Sequence, residues 1–145
     1  MNNQIAKYVA AGILGTVAMT IIMVIAPNMG MPKMAPWELL SGAMGVSMVL
    51  GWVMHFVIGI LYGLGYGFVF APKVHIHNIW LKGIVFGMLA LITAQIGMQV
   101  MGMIFQIPQI KGAMPLRLIA MLIGHIVFGI VTAKVIGKNK LIYAF

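Results

Sequence analysis

The chain alternates long apolar runs with short polar interruptions, and the interruptions hold its prolines and most of its basic residues. Four runs are long enough to cross a bilayer as helices, which takes roughly 20 apolar residues each. The pattern predicts helices over residues 8–26, 46–70, 79–105 and 116–136. Pro27 stops the first and Pro72 the second, since proline supplies no backbone donor and clashes with the preceding turn. A shorter apolar segment at 36–40, with Pro36 near its first position, predicts one or two helical turns at the interface, with Trp37 at head-group level. The first run could serve as a signal peptide cleaved after Ala26. Pro27 disfavours that cleavage, so the run is read as an anchor.

Within the second run the pattern changes from bulky apolar to small. His55 opens HFVIGILYGLGYG, which places Gly59, Gly63 and Gly67 at four-residue steps. The pattern recurs in the fourth run, where His125 opens HIVFGIVTAKVIG, with Gly129, Ala133 and Gly137 in the matching places. Gly42-Ala43-Met44 reappears as Gly112-Ala113-Met114, and Val57 and Ile60 match Val127 and Ile130. The chain thus contains a duplicated unit, with one repeat over about 8–72 and the other over about 79–140, inside a single transmembrane domain at 1–145. Two helices per repeat return the chain to its starting side, so both copies share one topology. The expected fold is all-α: an integral membrane four-helix bundle of two tandem hairpins, related by a pseudo-two-fold axis along the membrane normal. His55 and His125 then lie at one depth, and if the second and fourth helices face each other the imidazoles point at a common axis. Residues four apart share a helix face, and small residues there let backbones approach closely. The glycine ladder by itself is explained by helix packing.

Composition supports this reading. The 145 residues are 63% hydrophobic and only 7% charged, with a mean hydropathy of +1.10, whereas a soluble domain carries about a quarter charged residues. Nine basic residues face one acid, Glu38, for a net charge of +8. They cluster at the ends of apolar runs and no basic patch carries interleaved aromatics, so they set topology and meet anionic lipid, and no nucleic-acid partner is expected. Lys7, Lys73, Lys82, Lys134, Lys138 and Lys140 fall on one side, with Lys33, Lys111 and Arg117 on the other. That bias predicts a multi-pass protein of the bacterial inner membrane with both termini cytoplasmic. Absence of cysteine excludes disulfides and thiolate chemistry, and a lone carboxylate excludes paired-acid hydrolysis. No catalytic motif of a hydrolase or kinase is present, so the chain is not expected to be an enzyme on its own.

Polar residues inside the runs are the remaining candidates, because such groups are costly in a bilayer and usually face the bundle interior. Thr20, His55, Gln95, Gln99 and His125 form a layer toward the outer side. The sharpest reading is a b-type haem with His55 and His125 as axial ligands. Gly59 and Gly129 would leave room for the macrocycle, Gln95 or Thr20 would orient an imidazole, and Arg117 would meet a propionate. This layout resembles that of small four-helix membrane cytochromes b. It implies an electron-transfer protein or subunit, partnered by a quinone, an outer-side electron carrier, a larger membrane complex or further copies of itself. The competing reading is a cofactor-free structural or accessory subunit whose histidines hydrogen-bond across the bundle. A metal or proton site is a third, with copper held by histidine and Met48, Met54 or Met121, since thioethers favour Cu(I). Met29, Met31 and Met34 form an outer methionine cluster, read chiefly as apolar surface, and His75 and His77 a two-histidine fragment in the middle loop. The histidine set ahead of glycines in the second and fourth helices is similar to that of uncharacterised small four-helix bacterial inner-membrane proteins. That resemblance implies no particular chemistry.

Overall fold

The computed structural model describes residues 2–107 and 112–137, so Lys111, Lys138 and Lys140 lie outside the described residues. Among the described residues it is helical with no strand. Helix α1 covers Asn2–Ile25 and runs into a 3-10 turn at Ala26–Met29, closed by Gly30 in the left-handed region at φ 81°. Helix α2 covers Pro36–Met44, α3 Met48–Gly65, α4 Ile79–Ile104 and α5 Met114–Ile136. Four segments are long and apolar enough to cross a membrane: Asn3–Met29, Met48–Lys73, Ile79–Ile104 and Met114–Ile136. We read the chain as a small multi-pass membrane protein.

Local chemistry sets the ends of these helices. Ser47 accepts from the backbone N–H of Leu50 to start α3, and Asn78 accepts from Trp80 and Leu81 to start α4. Helix α2 is longer than the expected one or two turns: Pro36 begins it, and Gly45 ends it at φ 64°, where its N–H donates to the Ser41 carbonyl. Beyond Gly65, α3 continues as a π-helical stretch over Tyr66–Phe70 and a last turn at Ala71–Lys73.

Helix α1 packs antiparallel to α3, and α4 antiparallel to α5. Small residues bring each pair together. A Cβ on Gly12 would lie 2.7 Å from Ile60 Cα and 2.5 Å from the Gly59 carbonyl oxygen, so only glycine permits this crossing. In the other pair, a Cβ on Gly129 would strike the Gly83 carbonyl and the Gly87 backbone. The glycine ladder therefore packs hairpin partners: Gly59 and Gly63 face α1, and Gly67 faces the Tyr8 ring. The expectation that the two histidine helices face each other is modified. Helix α1 lies against both α3 and α5, and the α1–α5 contact, at Gly15 with Phe128 and Thr132, forms the spine of the bundle.

The end carrying Asn2 and Gly137 is the more solid. Tyr66, Phe70 and Phe86 meet with ring centroids 4.8–5.4 Å apart, and Phe128 joins them at 6.4 Å from Phe86. These rings close the gap between α3 and α4. Lys82 Nζ donates to the Ala71 carbonyl at 2.9 Å, and Lys134 sits 3.4 Å over the Trp80 ring. At the opposite end α2 lies across the start of α3. Trp37 is buried there, stacked on Trp52 at 4.1 Å.

Candidate functional site

Between the aromatic cluster and α2 the helices enclose a cavity of about 930 Å³. Its floor is Thr16, Gly59, Tyr62, Ala90 and Phe128, near the middle of the bundle. Its far rim is Pro36, Leu39, Ile107 and Met114. Phe128 at the floor and Met114 at the rim lie about four helical turns apart on α5, so the cavity is deep as well as wide. All five helices contribute. The walls are mostly apolar, and eight of the fifteen methionines line them.

Of the expected polar layer, His55, Gln95, Gln99 and His125 all line this cavity. Thr20 is tied to it through His55: Thr20 Oγ1 and His55 Nε2 are 3.1 Å apart. His55 is buried, and its ring packs near Trp37, Trp52 and Phe56 at centroid distances of 5.8–6.3 Å. His125 is half-buried, and its Nδ1 lies 2.8 Å from the Met121 carbonyl, one turn earlier on its own helix. A carbonyl only accepts, so Nδ1 is the donor, and in the neutral ring Nε2 keeps its lone pair. His125 thus has a defined tautomer whose other nitrogen can act as a ligand or as a proton acceptor. His55 has its Nε2 engaged by Thr20, and among the described residues its Nδ1 has no hydrogen-bond partner.

The other expected residues divide. Arg117 lines the cavity near its rim, about two turns from His125 on the same helix. Gly59 is at the cavity floor, and a Cβ there would overlap the Thr16 hydroxyl, so the side on which a side chain would stand faces α1. Gly129 faces α4 in the same way and is not among the lining residues. On the Cβ side these two glycines hold helices together. The histidines also sit at different distances along their helices: His125 lies about one turn deeper into α5 than His55 does into α3.

Met121 and Met34 line the cavity, Met34 being 4% exposed, whereas Met29 is 79% exposed. Met48 lies at α3's first turn, 3.9 Å from the Ser41 hydroxyl. Met54 is half-buried on α3 and does not line the cavity. His75 and His77 are exposed in the loop before α4. No group of three or more His, Asp or Glu side chains suited to a metal ion occurs among the described residues.

Sequence reasoning missed the bridge at the cavity floor. Tyr62 Oη donates to the Ala90 carbonyl at 3.3 Å and lies 2.8 Å from Thr93 Oγ1, which links α3 to α4. From there toward α2 no hydrogen bond or ring contact joins these two helices among the described residues. Ile58 on α3 and Thr93 and Gly97 on α4 all line the cavity and are exposed, so it opens sideways between the two helices. A signal was present: Thr93 is a polar residue in an apolar run, close before Gln95.

Residues 2–141 match the model of a family of unknown function, DUF6789, and the chain belongs to that family. No curated protein and no solved structure matches it.

Proposed function

We propose that this member of the family is a binding protein of the bilayer interior, which holds a largely apolar ligand between its two hairpins. One observation carries the reading: histidines from different hairpins line a single cavity whose other walls are mainly methionine and aliphatic side chains. Pockets of roughly 300–1,000 Å³ with few convergent polar groups are the usual form of a small-molecule site. Methionine walls are adaptable and polarizable, which suits a ligand of irregular shape.

The tandem-hairpin reading belongs to the same proposal. The Gly12–Gly59 and Gly83–Gly129 crossings occupy corresponding places in the two hairpins, as a pseudo-two-fold axis along the membrane normal would require. Lys7, Lys73, Lys82 and Lys134 gather at one end and Lys33 and Arg117 at the other, which favours cytoplasmic termini in a bacterial inner membrane.

Haem b is the sharpest form of the ligand. His125 supports it, because its Nδ1–H bond turns Nε2 to other partners, as second-shell bonds do for ligand histidines. Arg117 suits a propionate at the rim, and Gln95 a polar edge. His55 supports it less, because its Nε2 would first have to leave Thr20. A haem so held would serve electron transfer, with a quinol, an outer-side carrier or a larger complex as partner. The cofactor-free reading has its own support in that bond, which engages His55 Nε2 across the α1–α3 pair. An optical spectrum of detergent-purified protein, oxidised and then dithionite-reduced, separates the two. Sharp reduced α and β bands, lost in both His55→Ala and His125→Ala, would establish bis-histidine haem. A flat spectrum from haem-replete cells would remove haem and leave a colourless apolar ligand to be sought in an organic extract.

A further inference from the structure

The charge on the cavity wall narrows the ligand class. Arg117 is the one permanently charged side chain among the described lining residues, so the cavity carries a positive pole near its rim. Below Arg117 the wall runs through Met121 and His125 to Phe128, with Gln95 and Gln99 on the same cavity and the rest of the lining mainly methionine and aliphatic side chains. One charged pole and a long, mainly apolar bore crossed by a few uncharged polar groups are complementary to an amphiphile with a small anionic head and a single chain. From Arg117 to Phe128 the bore covers about three helical turns, comparable to the hydrocarbon depth of one leaflet, so most of an extended chain can be accommodated. The side opening at Ile58, Thr93 and Gly97 lies within the segments Met48–Lys73 and Ile79–Ile104, which are apolar enough to cross a membrane.

We propose that the cavity takes a long-chain carboxylate from the bilayer, with the carboxylate on Arg117 and the chain running down toward Phe128. A guanidinium matches a planar carboxylate with two parallel N–H bonds, and this pairing is stronger where water is scarce. A phosphodiester lipid would present a bulkier head and a second chain to the same rim. The inference rests on the cavity being a ligand site, so its test must fail separately from that reading.

The experiment is equilibrium binding of radiolabelled palmitate and of hexadecanol, its uncharged counterpart, to the full-length protein in nanodiscs of neutral lipid at alkaline pH. Saturable palmitate binding at one per chain, about tenfold tighter than hexadecanol, is expected from a charge-assisted pair. Arg117→Gln should bring palmitate to the level of hexadecanol and leave hexadecanol unchanged, whereas Arg117→Lys should keep most of the preference. The wild-type comparison stands even if a variant fails to fold. Equal binding of the two probes would overturn the carboxylate assignment and leave the cavity as a neutral-ligand site. Displacement of palmitate by phosphatidylglycerol at equal concentration would overturn it in favour of a phospholipid. Saturable binding of neither probe would overturn it together with the proposal that chain-like apolar ligands occupy the cavity.

Discussion

The two halves of this bundle share the same helices but fill the space between them differently. Toward the chain termini, Tyr66, Phe70, Phe86 and Phe128 fill the space between the helices, and Lys82 and Lys134 clasp neighbouring elements. Toward α2, methionines and isolated polar groups line a cavity, and among the described residues α3 and α4 are bridged there only at the floor, by Tyr62. Bulk explains the difference. Aromatic rings reach across a gap that glycine crossings keep narrow, whereas beyond the crossing α4 carries Ala94, Gly97 and Gly102 on the cavity side. A bundle sealed at one end and hollow at the other has the form of a receptacle. A transmembrane path would need comparable polarity in the sealed half, which these rings do not provide.

This contrast can be broken or sharpened by substitution. The largest effect is expected at the crossings. Gly129→Val would drive a side chain into the backbone of Gly83 and Gly87 and should cost about 3 kcal/mol or more, read as loss of folded protein in detergent or a collapse of Tm. Phe86→Ala, in the sealed half, should cost about 3 kcal/mol by removing contacts to three rings, measured by thermal unfolding. Met98→Ala, on the cavity wall, should cost much less, because that side chain already borders open space; equal losses for Phe86→Ala and Met98→Ala would erase the distinction between the halves. Thr20→Val should cost about 1 kcal/mol through the lost bond to His55 and should change the chemical shifts of that imidazole in preference to His125. Lys33→Ala should be nearly silent in the same unfolding measurement, since the Lys33–Glu38 pair is exposed and water screens it.

Much of the frame was legible in the hydrophobic pattern. Runs of apolar residues bounded by Pro27, Pro72 and Asn78 mark where spanning segments must end, and the observed ends there differ only slightly, whereas α1 begins at Asn2, well before the expected residue 8, because its polar first turns continue the helix. The polar layer was legible for a related reason: a glutamine or histidine in an apolar run has few places to go, and His55, Gln95, Gln99 and His125 all reach one cavity. Partners were not legible. A glycine ladder defines a helix face without saying which helix meets it, and Gly59 and Gly63 proved to face α1, the nearest antiparallel neighbour. The burial of Trp37 depended on α2 folding back over Gly51, a geometry set by the turn at Gly45 and invisible in the apolar pattern. Methionine was uninformative because fifteen copies make any spacing commonplace, although eight of them converge on one cavity.

The central claim is that the half toward α2 holds a ligand. Native mass spectrometry of the protein released from its own membranes tests it most directly, alongside Gly97→Trp, which places an indole at the side opening where a Cβ meets nothing within 4 Å. The account predicts one bound small molecule per wild-type chain, retained under gentle activation and absent or strongly reduced in Gly97→Trp of unchanged fold. A wild-type chain that appears only at its bare mass, or an adduct that Gly97→Trp leaves untouched, would contradict it.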